Sequence, residues 1–154
     1  MNKTLSVILL VGFDAAMADN LELGLGTGKT ASYKTKKESV IGEKNNYSLG
    51  YEHPLNKSLH GVVTLGQSDF ARLKDRSLRL APRFYYGNLF ASAGVGFHNV
   101  DGNDSYTGLL GIGFRTNSEA TGKVGYGIDL TQEQGFGDRK LNQLDLSMVL
   151  SIGL

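Results

Sequence analysis

The sequence predicts an all-β chain: an eight-stranded antiparallel up-and-down transmembrane β-barrel. Three observations carry this. Apolar residues alternate with polar or glycine residues in eight successive segments, and no helical period appears among them. The connections between segments are short and long in turn. One wall of the alternation collects most of the glycines and charges, while the other is almost purely apolar.

The elements follow in order. Residues 1–18 read as an export signal: Lys3, then an apolar stretch over 5–13, then Ala16-Met17-Ala18 as a small-x-small cleavage pattern. The barrel is then residues 19–154. The first segment, 20–28, sets Leu21, Leu23 and Leu25 against Glu22, Gly24 and Gly26. The second, 45–53, sets Tyr47, Leu49 and Tyr51 against Ser48, Gly50 and Glu52. The third and fourth are 58–67 and 77–86. The fifth, 88–98, opposes Ala91, Val95 and Phe97 to Ser92, Gly94 and His98. The sixth and seventh, 105–116 and 120–131, place Ile112 and Ile128 opposite Gly111 and Asp129. The eighth, 143–154, is the cleanest, with Leu144, Leu146, Met148 and Leu150 on one wall. Segments of nine to twelve residues are long enough to cross a bilayer at a tilt.

Short connections are expected at 53–57, at the hairpin signal Gly87-Asn88 and at 117–119. Longer polar loops are expected at 29–44, 68–76, 99–104 and 132–142. Pro82 lacks the N–H that a ladder needs, so a bulge or distorted pairing is expected there.

Alternation does not say which wall faces in. Glycine on a solvent-facing strand weakens it for no gain, whereas inside a narrow barrel it makes room. Aromatics of the apolar wall sit near strand ends, as interfacial girdles do: Tyr51, Phe84, Tyr86 and Phe114 at one end, Tyr47, Phe97 and Tyr106 at the other. Charges of the polar wall balance as Glu22, Glu52, Asp129 and Asp145 against Arg79, Arg83, Arg115 and Lys123, which suits an enclosed lumen. By strand direction, Glu22, Glu52, Arg83, Arg115 and Lys123 belong near the short-turn end, and Arg79, Asp129 and Asp145 near the other. A soluble small-ligand barrel, with its apolar wall inside, is the competing architecture.

Composition excludes several functions. There is no cysteine, hence no disulfide, thiolate metal site or cysteine nucleophile. Net charge is +1, so no nucleic-acid partner is expected. No run of eighteen apolar residues offers a transmembrane helix. No ligand spacing points to a metal, and no cofactor is expected. The stretch Leu23–Thr30 imitates a phosphate loop, but the first glycine of that motif is replaced by Leu23. His53, His60 and His98 do not assemble a lipid-facing triad with a serine and an acid, so the reading is non-enzymatic, with a lipid-modifying enzyme as the alternative. An eight-stranded interior is filled by side chains, leaving at most a narrow channel.

Asn46-Tyr47-Ser48-Leu49-Gly50-Tyr51-Glu52 and Leu110-Gly111-Ile112-Gly113-Phe114-Arg115-Thr116-Asn117, set in this architecture, resemble small outer-membrane barrels of the OmpX/Ail/Lom type, with OmpA-like and opacity-type barrels as neighbours. One departure is a final strand without an aromatic residue. The resemblance implies a monomer in the bacterial outer membrane with both termini periplasmic. It also implies loops that serve host adhesion or resistance. On those loops Lys34, Lys36, Lys37, Arg72, Lys74 and Arg76 form a basic rim that suits lipopolysaccharide phosphates or a host or surface polyanion. Phe70, Leu73 and Phe136 are apolar residues of the same loops, available for contact or for folding back on the barrel.

Overall fold

A computed structural model describes residues 19–36, 38–116 and 123–154. The expected export signal at 1–18, the rim residue Lys37 and the expected turn at 117–119 lie outside the described residues. Among the described residues nine strands form one antiparallel sheet: β1 (Asn20–Lys34), β2 (Ser39–Pro54), β3 (Leu59–Phe70), β4 (Leu73–Leu80), β5 (Arg83–Tyr86), β6 (Leu89–Val100), β7 (Asn103–Arg115), β8 (Val124–Phe136) and β9 (Lys140–Gly153). Neighbours in sequence pair except β4 and β5, each of which pairs with both β3 and β6; β9 returns to β1, so the sheet closes. β4 and β5 are two halves of one stave, which makes the barrel eight-stranded.

The break between those halves is the work of Pro82. Leu80 pairs Val95 and Arg83 pairs Ser92, so the register is unchanged across it, and the strand is interrupted without a bulge. Ala81 keeps one ladder bond, its N–H donating to Val62 O at 3.1 Å. Gly87 takes φ +60° in the two-residue turn between β5 and β6, a conformation a side chain disfavours. Following paired residues once round the barrel from Leu89, through Phe114, Ile128, Met148, Leu25, Tyr47, Gln67 and Arg76, returns to Asn99, ten residues along the same strand. That stagger tilts the strands by about 35–45°.

The open question of the two walls is resolved by exposure. Leu25, Leu49, Leu110, Ile112, Ile128 and Met148 all point outward and are exposed, Met148 by 72%. Glu22, Glu52, Arg83, Arg115 and Asp145 are buried inside. A soluble small-ligand barrel has the reverse arrangement, and that alternative falls. Phe97 and Tyr106, paired across β6 and β7, meet edge to face at 5.6 Å near the outer margin of the apolar belt. Met148 lies between Leu25 and Ile128 in register, at the middle of the apolar run of β9. Met148→Arg is expected to cost about 2–4 kcal/mol, the depth-dependent penalty for a cation on the lipid face. Urea unfolding in lipid vesicles reads this, and an unmoved midpoint would place the bilayer elsewhere.

The four expected long loops are replaced by strand. β1 continues to Lys34 and β2 begins at Ser39, while β3 and β4 run to a turn at 71–72, β6 and β7 to one at 101–102, and β8 and β9 to one at 137–139. Above the belt the same alternation continues with its polarity inverted. Gln67, Asp69, Asn99 and Asn142 face outward, while Phe70, Val100 and Leu141 point into the lumen. A register shift in β1 after Gly28 brings Ala31 and Tyr33 into the same cluster. These five residues close the lumen at the hairpin end as an apolar plug, with Leu73 and Val40 packed against it. Phe70 and Leu141 are wholly enclosed, and each contributes on the order of 2 kcal/mol. Of the apolar residues expected on loops, Phe70 and Leu73 therefore fold in. Phe136 stays exposed outside. Gly28-Lys29-Thr30 lies within β1, with no helix after it.

Candidate functional site

Inward-facing positions of the strands assemble two separate charge clusters. Near the short turns, Arg83 is the hub. Its Nη1 donates to Glu22 Oε1 at 2.7 Å and to Glu52 Oε2 at 3.4 Å, and its Nη2 lies 3.5 Å from Asp129 Oδ2. Arg115 donates from Nε to Glu22 at 2.9 Å and from both Nη atoms to Asp129. Both guanidinium groups lie against the ring of Phe90, at 4.7 and 5.1 Å, adding cation–π attraction where water is scarce. Glu52 is further held by the Tyr85 hydroxyl at 2.8 Å and by His60 Nδ1 at 3.1 Å.

Toward the hairpin end, beneath the apolar plug, Glu133 is the hub. Arg79 Nη2 lies 2.6 Å from it, His98 Nε2 2.7 Å, the Thr107 hydroxyl 2.8 Å and the Gln143 amide 2.5 Å. The other His98 nitrogen faces Asp75 at 3.0 Å. Lys44 reaches Gln143 at 2.5 Å, Asp145 at 3.5 Å and Asp75 at 3.7 Å. Arg79 also touches Asp145 at 3.4 Å. Room for this cluster comes from Gly96: a Cβ there would meet Glu133 Oε2 at 2.7 Å and His98 Nε2 at 2.8 Å.

Seven of the eight expected lumen charges point inward, and their grouping differs from expectation. Asp129 belongs to the short-turn cluster with Arg83 and Arg115, not to the group of Arg79 and Asp145. Lys123 is exposed beside β8 and joins neither cluster among the described residues. Lys44, Asp75 and Glu133 are buried in the lumen, although they sit in segments that read as loops. Their parity shows why: Lys44 follows Asn46, Ser48 and Gly50, Asp75 follows Ser77 and Arg79, and Glu133 follows Thr131 and Asp129. Extending the period of two through polar sequence would have found them.

The basic rim is described except for Lys37. Arg72, Lys74 and Arg76 are exposed on the β3–β4 hairpin. Lys74 and Arg76 share the outward face of β4 with Leu78 and Leu80 below them. Lys34 and Lys140 stand directly opposite each other in the β1–β9 register. Lys36 pairs with Asp138 at 2.9 Å in the open, which is worth about 0–1 kcal/mol. On the outer wall at the other end, Asp19 accepts from the Tyr51 hydroxyl at 2.5 Å and pairs with His53 Nδ1 at 2.7 Å.

No family model matches the chain, and no curated protein sequence matches it. Solved structures do. Ail, the attachment invasion locus protein of Yersinia pestis, is similar at TM-score 0.54 and 15% identity, covering 88% of this chain and 99% of that one. The same protein in complex with the heparin analogue sucrose octasulfate matches at TM-score 0.53 and 13% identity, with 88% and 99% covered. Neisserial surface protein A (NspA) matches at TM-score 0.51 and 15% identity, with 88% and 97% covered. At these identities the likeness is one of fold: this chain has the architecture of the small eight-stranded outer-membrane barrels.

Proposed function

We propose that the chain is a monomeric, non-catalytic barrel of the bacterial outer membrane, exported by residues 1–18. Its hairpin end faces outward and binds anionic glycolipid or polyanion through the basic rim. The face of β4 carries this reading. From Leu80 and Leu78 upward it changes to Arg76 and Lys74, with Arg72 in the turn above. An apolar segment surmounted by cations complements a lipid whose acyl chains end in phosphates, as in lipopolysaccharide. The Lys34–Lys140 juxtaposition supports it, because like charges placed opposite each other cost stability unless an anion lies between them. The complex of Ail with a heparin analogue suggests a host polyanion as a further ligand of the same chemistry.

The triple variant R72E/K74E/R76E tests the rim. These side chains are exposed, so the barrel is expected to fold and migrate as wild type on heat-modifiability gels. Retention on immobilised lipopolysaccharide or heparin at low salt should fall to background, and the difference should shrink as salt screens it. Equal retention of the variant removes the rim from the function.

A second reading rests on His53 and Asp19, the pair nearest to acid–base machinery on the outer wall. No serine joins them in a hydrogen bond among the described residues. Incubation of the purified barrel with phospholipid and with lipopolysaccharide, followed by mass spectrometry, decides it. A deacylated product that disappears in His53→Ala would replace the non-catalytic reading.

A further inference from the structure

We infer that His98 is a proton-operated latch on the outer end of the barrel: its imidazolium ties the β3–β4 hairpin to β8 across the lumen, and alkali releases that hairpin. The latch does not depend on what the rim binds. It rests on one ring held from both sides. His98 Nδ1 lies 3.0 and 3.1 Å from the two oxygens of Asp75, and Nε2 lies 2.7 Å from Glu133 Oε2. All three side chains are sealed from solvent.

The charge of the ring follows from its partners. An ionised carboxylate only accepts, and a neutral imidazole has a single N–H. Glu133 is ionised, because Arg79, Thr107 and Gln143 also donate to it. Thr107 Oγ1 lies 3.3 Å from Nε2, but its proton goes to Glu133 at 2.8 Å, so it does not cap a bare nitrogen. Asp75 turns both oxygens toward Nδ1, as a carboxylate sharing one N–H does. Both ring nitrogens therefore carry protons. Charge balance agrees. The charged groups around the ring are Asp75 and Arg79 of β4, Glu133 of β8, Lys44 of β2 and Asp145 of β9. Among the described residues two cations stand against three carboxylates, and the imidazolium makes the count three against three.

Position turns this charge into a latch. Asp75 sits between Lys74 and Arg76 on β4, and only Leu73, Phe70 and the turn at 71–72 lie beyond it in the hairpin. β4 does not pair with β8, so the bridge Asp75–His98–Glu133 crosses the lumen instead of following a ladder. When the ring loses a proton, a lone pair meets one of the two carboxylates. Glu133 keeps Arg79, Thr107 and Gln143 whichever nitrogen is bared. Asp75 has besides His98 only Ser68 at 3.3 Å and Lys44 at 3.7 Å among the described residues, so the loss falls on the hairpin. The folded state binds the protonated ring. Its stabilisation is therefore present while His98 is charged and is lost as pH rises.

The test uses the full barrel. Nitrogen-15 NMR in detergent micelles should show both ring nitrogens of His98 as N–H at about pH 7. A singly protonated ring there overturns the latch. In lipid vesicles, trypsin cleavage at Arg72 or Lys74 is divided by the rate on a short peptide at the same pH. That ratio should rise about tenfold between about pH 7 and about pH 9.5, which stays below the usual lysine range, for the loss of one charge-assisted hydrogen bond. An unchanged ratio overturns the latch. Two variants separate His98 from Lys44, the other cation of the cluster that titrates in alkali. Asp75→Asn balances the cluster two against two with a neutral ring, and its amide N–H donates to the bared Nδ1. This variant should stay uncut at both pH values. His98→Gln does not titrate, so its hairpin should be cut more than wild type at the lower pH and equally at both. A pH step that survives in either variant assigns the change to Lys44 or to the ladder at large and defeats the proposal. Should His98→Gln fail to fold, wild type and Asp75→Asn still decide.

Discussion

Arg83→Ala is expected to lower barrel stability by about 3–5 kcal/mol, the cost of stripping one partner from a buried ion pair. The expectation follows from what the substitution leaves behind. Glu22, Glu52 and Asp129 all contact Arg83 in the wild type, and all three carboxylates are at most 16% exposed. Only Arg115 would remain as a full cation in that cluster, and it does not touch Glu52. The chain cannot move these carboxylates to water, because each is fixed on a strand whose other wall meets lipid. Urea unfolding in lipid vesicles measures the loss. Pairing Arg83→Ala with Glu22→Gln provides the decisive comparison. Removing one surplus charge should recover part of the stability, so the double variant should be less damaged than the sum of the two single ones. A simple sum, or an unmoved midpoint in Arg83→Ala alone, would show that the cluster is not acting as a coupled unit.

That cluster is largely legible in the sequence, because inward parity is a local property. Glu22, Glu52, Arg83 and Arg115 sit in segments whose apolar wall is unmistakable, so their faces follow from their neighbours. Heights were harder to read. Asp129 lies several residues into β8, but the ladder climbs from strand to strand with the stagger of ten, and long arginine side chains from β5 and β7 reach it. Phe90 was hidden for a different reason: it follows Leu89, and two adjacent apolar residues beside a turn blur the parity. The ends of the staves are the least legible part of the chain. Above the belt the outer wall turns polar, so the sequence acquires the composition of a loop while the strands continue. Phe70, Val100 and Leu141 mark the change, being apolar at positions whose lower neighbours Ser68, His98 and Gln143 are polar. An alternation whose polarity inverts without changing phase is the signature of a strand leaving the bilayer and continuing in water.

The inversion leads to the second large effect. Among the described residues Glu133 is the only carboxylate that joins Arg79 to His98, and it also accepts from Thr107 and Gln143, at 1% exposure. Glu133→Ala would leave Arg79 with Asp145 and His98 with Asp75 and the Thr107 hydroxyl, and would open a void beside Gly96. The expected loss is again about 3–5 kcal/mol. Its location should differ from that of Arg83→Ala. Asp75 is carried by β4 and His98 by β6, so the damage falls on the extramembrane ends of the staves and on the hairpin that presents Arg72 and Lys74. Trypsin should therefore cut the Glu133→Ala barrel at Arg72 or Lys74 in intact vesicles, while the segments inside the bilayer stay protected. Glu133→Gln keeps the shape and an acceptor oxygen but not the charge, and should fall between wild type and alanine. If glutamine were as damaging as alanine, shape and hydrogen bonding would count for little and the charge on Glu133 would account for the loss. If neither variant exposed the hairpin, the apolar plug of Phe70, Val100, Leu141, Ala31 and Tyr33 would be sufficient by itself to hold the outer end closed.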